Sequence, residues 1–423
     1  MTDPYVPDRG DDSFSVSHYD LDLDLRGTGS ISGRARLTVI ALVDLTSLTL
    51  DLVGLGVDKV AVGGRAARWR HRGSRLVITP ATPVAAGTQV LVEVRYSGEP
   101  GPQRGPWGEV GWEELTDGVL VAGQPDGAPT WFPCQDVPGS KATYATQVRA
   151  DSAYTVVAHG VLALQSRGGS RTTWVYEMTE PTATYLATLQ VGRYERLALP
   201  GSPVPVTAWV PPRLHGRATQ DLRRQAGMLE VFSRLFGPYP FAGYTVVVTD
   251  DDLEIPLESQ GLSVFGANHV DGAGRSERLV AHELAHQWFG NSVGLAAWQH
   301  VWLNEGFACY AEWLWSQESG GPSADDLART HHRRLSQEPQ DLVLSDPGPD
   351  LMFDDRVYKR GAVALHALRR SVGDVAFFDL LRTWTATHRH ATVTTDDWLT
   401  HVGPAGAALL RPWLDDTALP SLR

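Results

Sequence analysis

The segment VAHELAHQWFG sets His282, Glu283 and His286 in the order His-Glu-x-x-His. Residues four apart on a helix share one face, so both imidazoles reach a single Zn²⁺ at about 2.0–2.1 Å. Glu283, about 100° around that helix, stands beside the ion and takes a proton from its water. In a chain with 14 histidines this helical metalloprotease pattern arises by chance in roughly a few per cent of cases, so a third ligand decides the matter. Glu305, nineteen residues after His286 in WLNEGFACYAEW, supplies it. Three protein ligands and one open position make a catalytic zinc site, one ion per chain.

These side chains need two helices. Ser276 is the expected N-cap of the first and Gly290 its stop, and Asn304 is the expected cap of the second. Glu312, two turns beyond Glu305, shares its face and is placed to accept the second N–H of a metal-bound imidazole. Before the helices, residues 13 to 197 run in period two, as in Tyr19, Leu21, Leu23, Leu25 and Val90, Val92, Val94, Tyr96, broken by Gly, Pro and Asp turns. Around LALPGSPVPV helical spacing takes over, as in Leu222, Ala226, Leu229, Phe232 and Phe236. The expected division is an all-β domain over 1–198 and an α+β catalytic domain over 199–423. The paired His331 and His332, and likewise His388 and His390, are expected to be solvated.

Composition narrows the partners. With 49 acidic against 37 basic residues, a formal charge of -12 and no run of either sign, neither nucleic acid nor an anionic membrane is an expected partner. No apolar stretch approaches the roughly 20 residues that span a bilayer, and MTDPYVPDRGDDSF lacks the basic and apolar regions of a secretory signal. Cys134 and Cys309 have neither disulfide nor zinc-thiolate spacing and are expected to be small buried residues. A cytoplasmic location is expected. Oligomeric state is left open.

The His-Glu-x-x-His segment, followed by 18 residues and the glutamate of WLNEGFA, resembles the aminopeptidase N family of zinc metallopeptidases. PCQDVP at 133–138, LESQG around Glu258 and VYKRG around Tyr358 extend the resemblance over most of the chain. It implies a β-sandwich-like, saddle-shaped N-terminal domain, a thermolysin-like catalytic domain, and removal of single residues from peptides with a free N-terminus. It also implies that Tyr358 donates a hydrogen bond to the oxyanion and that Glu258 and Gln124 bind the substrate amine. Relatives continue into a helical C-terminal domain, so the chain resembles a short form without it, with a more open site.

The sequence departs from the family at residues 255–259, Ile-Pro-Leu-Glu-Ser, where only the glutamate of a Gly-x-Met-Glu-Asn motif remains. Ser259 in place of asparagine removes an amide, and Pro256 removes a backbone donor. The family's arginine before PCQDVP is replaced by Pro129 and Thr130. The expected mechanism lays a peptide along GLSVFG, residues 261–266, with Glu283 as base. Three alternatives share the scaffold: a thermolysin-like endopeptidase, which needs neither Glu258 nor Gln124; an epoxide hydrolase, which needs a long lipid pocket; and an inactive peptide-binding homologue, against which the intact site speaks.

Overall fold

A computed structural model describes residues 2–422. Strand β1 (Phe14–Arg26) alternates strictly from His18 onward: Tyr19, Leu21 and Leu23 are fully buried, while Asp20, Asp22 and Asp24 face outward. Its neighbour β2 (Ser30–Ala41) runs antiparallel in a register that sets Asp20 opposite Arg36 and Asp22 opposite Arg34. Both pairs close, at 2.6 and 2.9 Å. Half-exposed cross-strand pairs of this kind contribute about 0.2–1 kcal/mol each and fix register more than stability. On its other edge β1 pairs in parallel with β3 (Lys141–Asp151).

These strands form the middle of an eight-stranded sheet, and a five-stranded and a three-stranded sheet share its apolar core. The first half of the chain is thus strand-rich, as its period-two pattern predicts.

A further sheet begins at β4 (Glu195–Ala198), which pairs with β5 (Val206–Val210). The next strand, β6 (Tyr244–Val248), is parallel to β5, and helix α1 (Gln225–Phe236) lies in the crossover between them. The sheet is completed by β7 (Leu257–Ser259) and β8 (Leu262–Phe265), in the order β4-β5-β6-β8-β7. Because β8 is bonded to β6 on one side and β7 on the other, residues 262–265 have no free edge. The expectation of a peptide lying along 261–266 is therefore corrected: the chain reverses at Gly261, φ 71°, and folds β7 over as the edge strand.

The metal-site helix α2 (Glu277–Ala285) starts at Ser276, but that hydroxyl accepts no capping bond. Helix α3 (Trp302–Glu318) starts earlier than Asn304, directly after a 3-10 turn over Trp298–His300. Asn304 therefore sits inside the first turn rather than capping it, and its amide donates to the Tyr185 hydroxyl at 3.4 Å. Helix α4 (Ala324–Leu335) is capped by Ser323, whose oxygen accepts from the Asp326 N–H at 3.1 Å. Helix α5 (Asp355–Val372) crosses α3 where Gly306 meets Gly361; a Cβ on Gly306 would lie 2.9 Å from the Gly361 Cα. This approach brings Tyr358, one turn before Gly361, toward Glu305.

The four histidines expected in solvent are packed instead. His331 stacks on Trp313 at 5.1 Å, His332 bonds the Pro420 carbonyl at 2.7 Å, His388 lies 4.2 Å from Trp384, and His390 tilts against Phe241. The imidazole ring is amphipathic, and nearby aromatic faces offer its apolar side a partner. Cys134 and Cys309 are both free and buried, as their spacing predicts.

Candidate active site

Helix α2 carries His282, its C-cap residue His286 follows one turn later on the same face, and α3 carries Glu305 toward them. The two Nε2 atoms stand 3.0 Å apart, and the Glu305 carboxylate lies 3.4 and 3.5 Å from them. Three donors around one ion at about 2.0–2.1 Å in tetrahedral directions are separated by about 3.4 Å. Each Nδ1 is already engaged, with Glu312 Oε1 at 2.7 Å for His282 and the Phe289 carbonyl at 3.1 Å for His286. Both ring protons thus belong on Nδ1, which aims two lone pairs and a carboxylate at one point. Such a donor set fits Zn²⁺.

The electrostatics agree with a cation at that point. Burial works against the charge on Glu305, but the flanking imidazoles hold its carboxyl down to about 2. Burial likewise disfavours a charged His282, yet Glu305 and Glu312 raise it to about 10. Glu283 lies beside the cluster with Oε2 buried and unpartnered. Burial, with Glu258 and Glu305 nearby, lifts its carboxyl to about 7 against the pull of the two histidines.

The cleft over these residues encloses about 270 Å³, and Gln124, Glu258, His282, Glu283, His286, Glu305 and Tyr358 all line it. Glu258 comes from the edge strand β7, and its Oε1 accepts from Gln124 Nε2 at 2.7 Å. Strand β7 is tied to α2: the Gln287 and Asn291 amides donate to the Ser259 carbonyl at 3.2 and 2.9 Å, and Gln287 Oε1 accepts from the Gly261 N–H at 2.8 Å. The Tyr358 ring lies 6.1 Å from that of His282, nearly parallel. Burial and the surrounding carboxylates push its hydroxyl well above the usual phenol range, so it stays a donor.

Gln287, Asn291 and Arg278 did not stand out in the sequence. Arg278, bonded to Glu312 at 2.9 Å, lies four residues before His282, and that spacing is the one signal pointing to it.

Residues 221–412 match the peptidase family M1 domain and residues 15–186 the peptidase M1 N-terminal domain. An M1 zinc metallopeptidase from Deinococcus radiodurans superposes with a TM-score of 0.91 at 32% identity, covering 99% of this chain and 98% of that one. A mutant form of it, bound to a Tyr-Ser-Ala substrate, has a TM-score of 0.90. Among curated proteins, a leucyl aminopeptidase of Saccharolobus solfataricus is 26% identical over 86% of this chain. A leukotriene A-4 hydrolase of Xenopus laevis is 27% identical over 92% of this chain and 68% of its own length. The chain spans about half of the leucyl aminopeptidase, 48% of its length. Fold and site together are those of a two-domain zinc metallopeptidase. The chain belongs to peptidase family M1.

Proposed function

We propose that this chain is a zinc aminopeptidase that removes single residues from peptides with a free N-terminus, binding one zinc per chain through His282, His286 and Glu305. The carrying observation is a distance. Glu258, Glu283 and His286 offer oxygen and nitrogen atoms within 4.8 Å of one another. An amine nitrogen and the carbonyl carbon of its own residue are only about 2.5 Å apart. An ammonium held on Glu258 therefore brings the first carbonyl, and no later one, to the base and the metal ligands.

Bound zinc would supply Lewis-acid polarisation of the scissile carbonyl and acidify a water. Glu283 takes the proton of that water as its oxygen attacks the carbonyl carbon. The Tyr358 hydroxyl donates to the developing oxyanion. As the C–N bond breaks, Glu283 returns the proton to the departing nitrogen. Gln124 and Glu258 hold the ammonium throughout, and Glu312 fixes the tautomer and tilt of His282.

The two free, buried cysteines suit a reducing compartment, and we place the protein in the cytoplasm with no nucleic-acid or membrane partner. Among the described residues no helix is long and apolar enough to cross a membrane. The proposed division of labour follows the two halves, 1–198 as the β domain and 199–423 as the catalytic domain, with strand β4 (Glu195–Ala198) reaching across that boundary into the catalytic sheet.

The test compares an aminoacyl chromogenic amide with its N-acetyl form, with and without chelator and zinc restoration. Only the free amine should be cleaved, and only with zinc. Cleavage of the blocked form at an equal rate would assign the site to an endopeptidase.

A further inference from the structure

The cleft continues past the metal ligands. Beyond Glu312 it opens into a second groove of about 550 Å³, and Arg278, Glu312, Asp355 and Lys359 line both spaces. Glu258 and Gln124 border only the first. The groove is thus on the far side of the metal ligands from the amine anchor. A peptide whose amine rests on Glu258 leads its remaining residues toward it.

The groove lining sets three cations, Arg278, Arg334 and Lys359, against three acids, Glu277, Glu312 and Asp355. Glu277 is already bonded by Arg224 at 2.8 Å and by Trp315 Nε1 at 2.7 Å, and Glu312 is taken by His282 and Arg278. The cations are less committed. The Arg278 side chain is 58% exposed, and among the described residues only its Nη1 has a partner. Lys359 is 3.6 Å from the exposed Asp355, has Glu312 close by, and among the described residues is hydrogen-bonded through its ammonium only to the Cys309 sulfur. The Arg334 side chain, also on the groove wall, has no ion-pair or hydrogen-bond partner among the described residues. Between these cations, His331 stacked flat on Trp313 forms an apolar wall. Burial, with Lys359 and Arg334 close by, holds its imidazole down to about 4, so the wall is uncharged at neutral pH.

We propose that this groove receives the leaving side of the substrate and that Arg278, Lys359 and Arg334 capture a carboxylate carried there. This rests on the aminopeptidase reading and narrows it to short peptides bearing a carboxylate close behind the scissile bond. Guanidinium and ammonium donors meeting a carboxylate make charge-assisted hydrogen bonds, which an uncharged terminus forfeits. The same groups reach a main-chain terminus or an acidic side chain.

The test measures binding by calorimetry to the zinc-loaded Glu283→Gln enzyme, which holds peptides without cleaving them. Leu-Gly-Gly should bind about tenfold more tightly than its C-terminal amide at low salt. Adding Arg334→Gln or Lys359→Gln should shrink that ratio, and the double variant should shrink it further, leaving the share that Arg278 supplies. Exposed Arg334 sits on the surface of α4, and an unchanged melting temperature confirms that its variant is folded. The amide of Leu-Gly-Glu separates the sources: if it regains the lost affinity, side-chain carboxylates are accepted, and if it does not, the terminal one is required. Equal binding of acid and amide by the parent, or a ratio unmoved by the double variant, overturns the proposal. N-acetyl-Leu-Gly-Gly reports separately on the amine anchor; binding as tight as the free peptide would remove the aminopeptidase reading, whatever the acid-to-amide ratio.

Discussion

Gln124 Nε2 donates to Glu258 Oε1 at 2.7 Å, joining a turn of the β domain to the edge strand of the catalytic sheet across 134 residues of sequence. The contact fixes one carboxylate oxygen and leaves the other for an ammonium. Glu258→Ala should raise KM for free-amine substrates about 10- to 100-fold, the range of a charge-assisted bond, and Gln124→Ala about three- to tenfold. Steady-state kinetics on an aminoacyl chromogenic amide decide this; unchanged KM in Glu258→Ala would end its role as anchor.

Glu283→Gln keeps the shape of the site and removes the base. Turnover should fall by about 10²–10⁴, with zinc content unchanged by metal analysis. A variant that retains turnover would shift the base role elsewhere.

Glu312 holds His282 through Nδ1. Glu312→Ala should weaken zinc binding about 10- to 100-fold, read by competition against a chromogenic chelator. Wild-type affinity in this variant would make Glu312 a partner of Arg278 alone.

Gly361→Ala places a methyl group 2.8 Å from the Gly306 Cα, where α3 and α5 touch backbone to backbone. Overpacking there should cost about 1–3 kcal/mol, seen in urea unfolding. The displacement of Tyr358 should lower kcat more than it raises KM. Full stability would show that the helices separate freely.

His159 is buried in the β domain against Tyr144, 4.8 Å between ring centres. Burial holds its imidazole down to about 4 despite the Thr188 carbonyl, whereas the unfolded chain binds that proton near 6.5. Between these values the unfolded chain carries more protons, so stability falls as pH drops from 6.5 to 4 and is level above. The gap corresponds to about 3 kcal/mol. Urea midpoints across this window should be flatter in His159→Asn than in the wild type. Parallel curves would clear His159 of any part in acid sensitivity.

What the sequence made legible follows from how local each feature is. His282, Glu283 and His286 fall within one helical turn and a bit, and Glu305 lies on the next helix, so residue type and spacing expose them. Tyr358, Glu258 and Gln124 come from distant elements and were visible only through family resemblance. Asn304 misled because the 3-10 turn at Trp298–His300 feeds straight into α3, moving its start ahead of the expected cap. The strand along 261–266 misled because its apolar run describes an interior strand, paired on both sides, rather than an exposed edge. Arg278, Lys359 and Arg334 meet from three helices, and nothing in their own neighbourhoods announces a shared groove.

The bonds from Gln287 and Asn291 to Ser259 tie the strand carrying Glu258 to the segment just after His286, which holds the proposed interval between anchor and metal in place. That interval works as a ruler with a single graduation. An extended peptide advances about 3.3 Å per residue, so an acid held farther from the metal by that amount would measure out a dipeptide. The step between trimming residues one at a time and two at a time is thus a matter of where one carboxylate is mounted, with the chemistry at the metal left as it is.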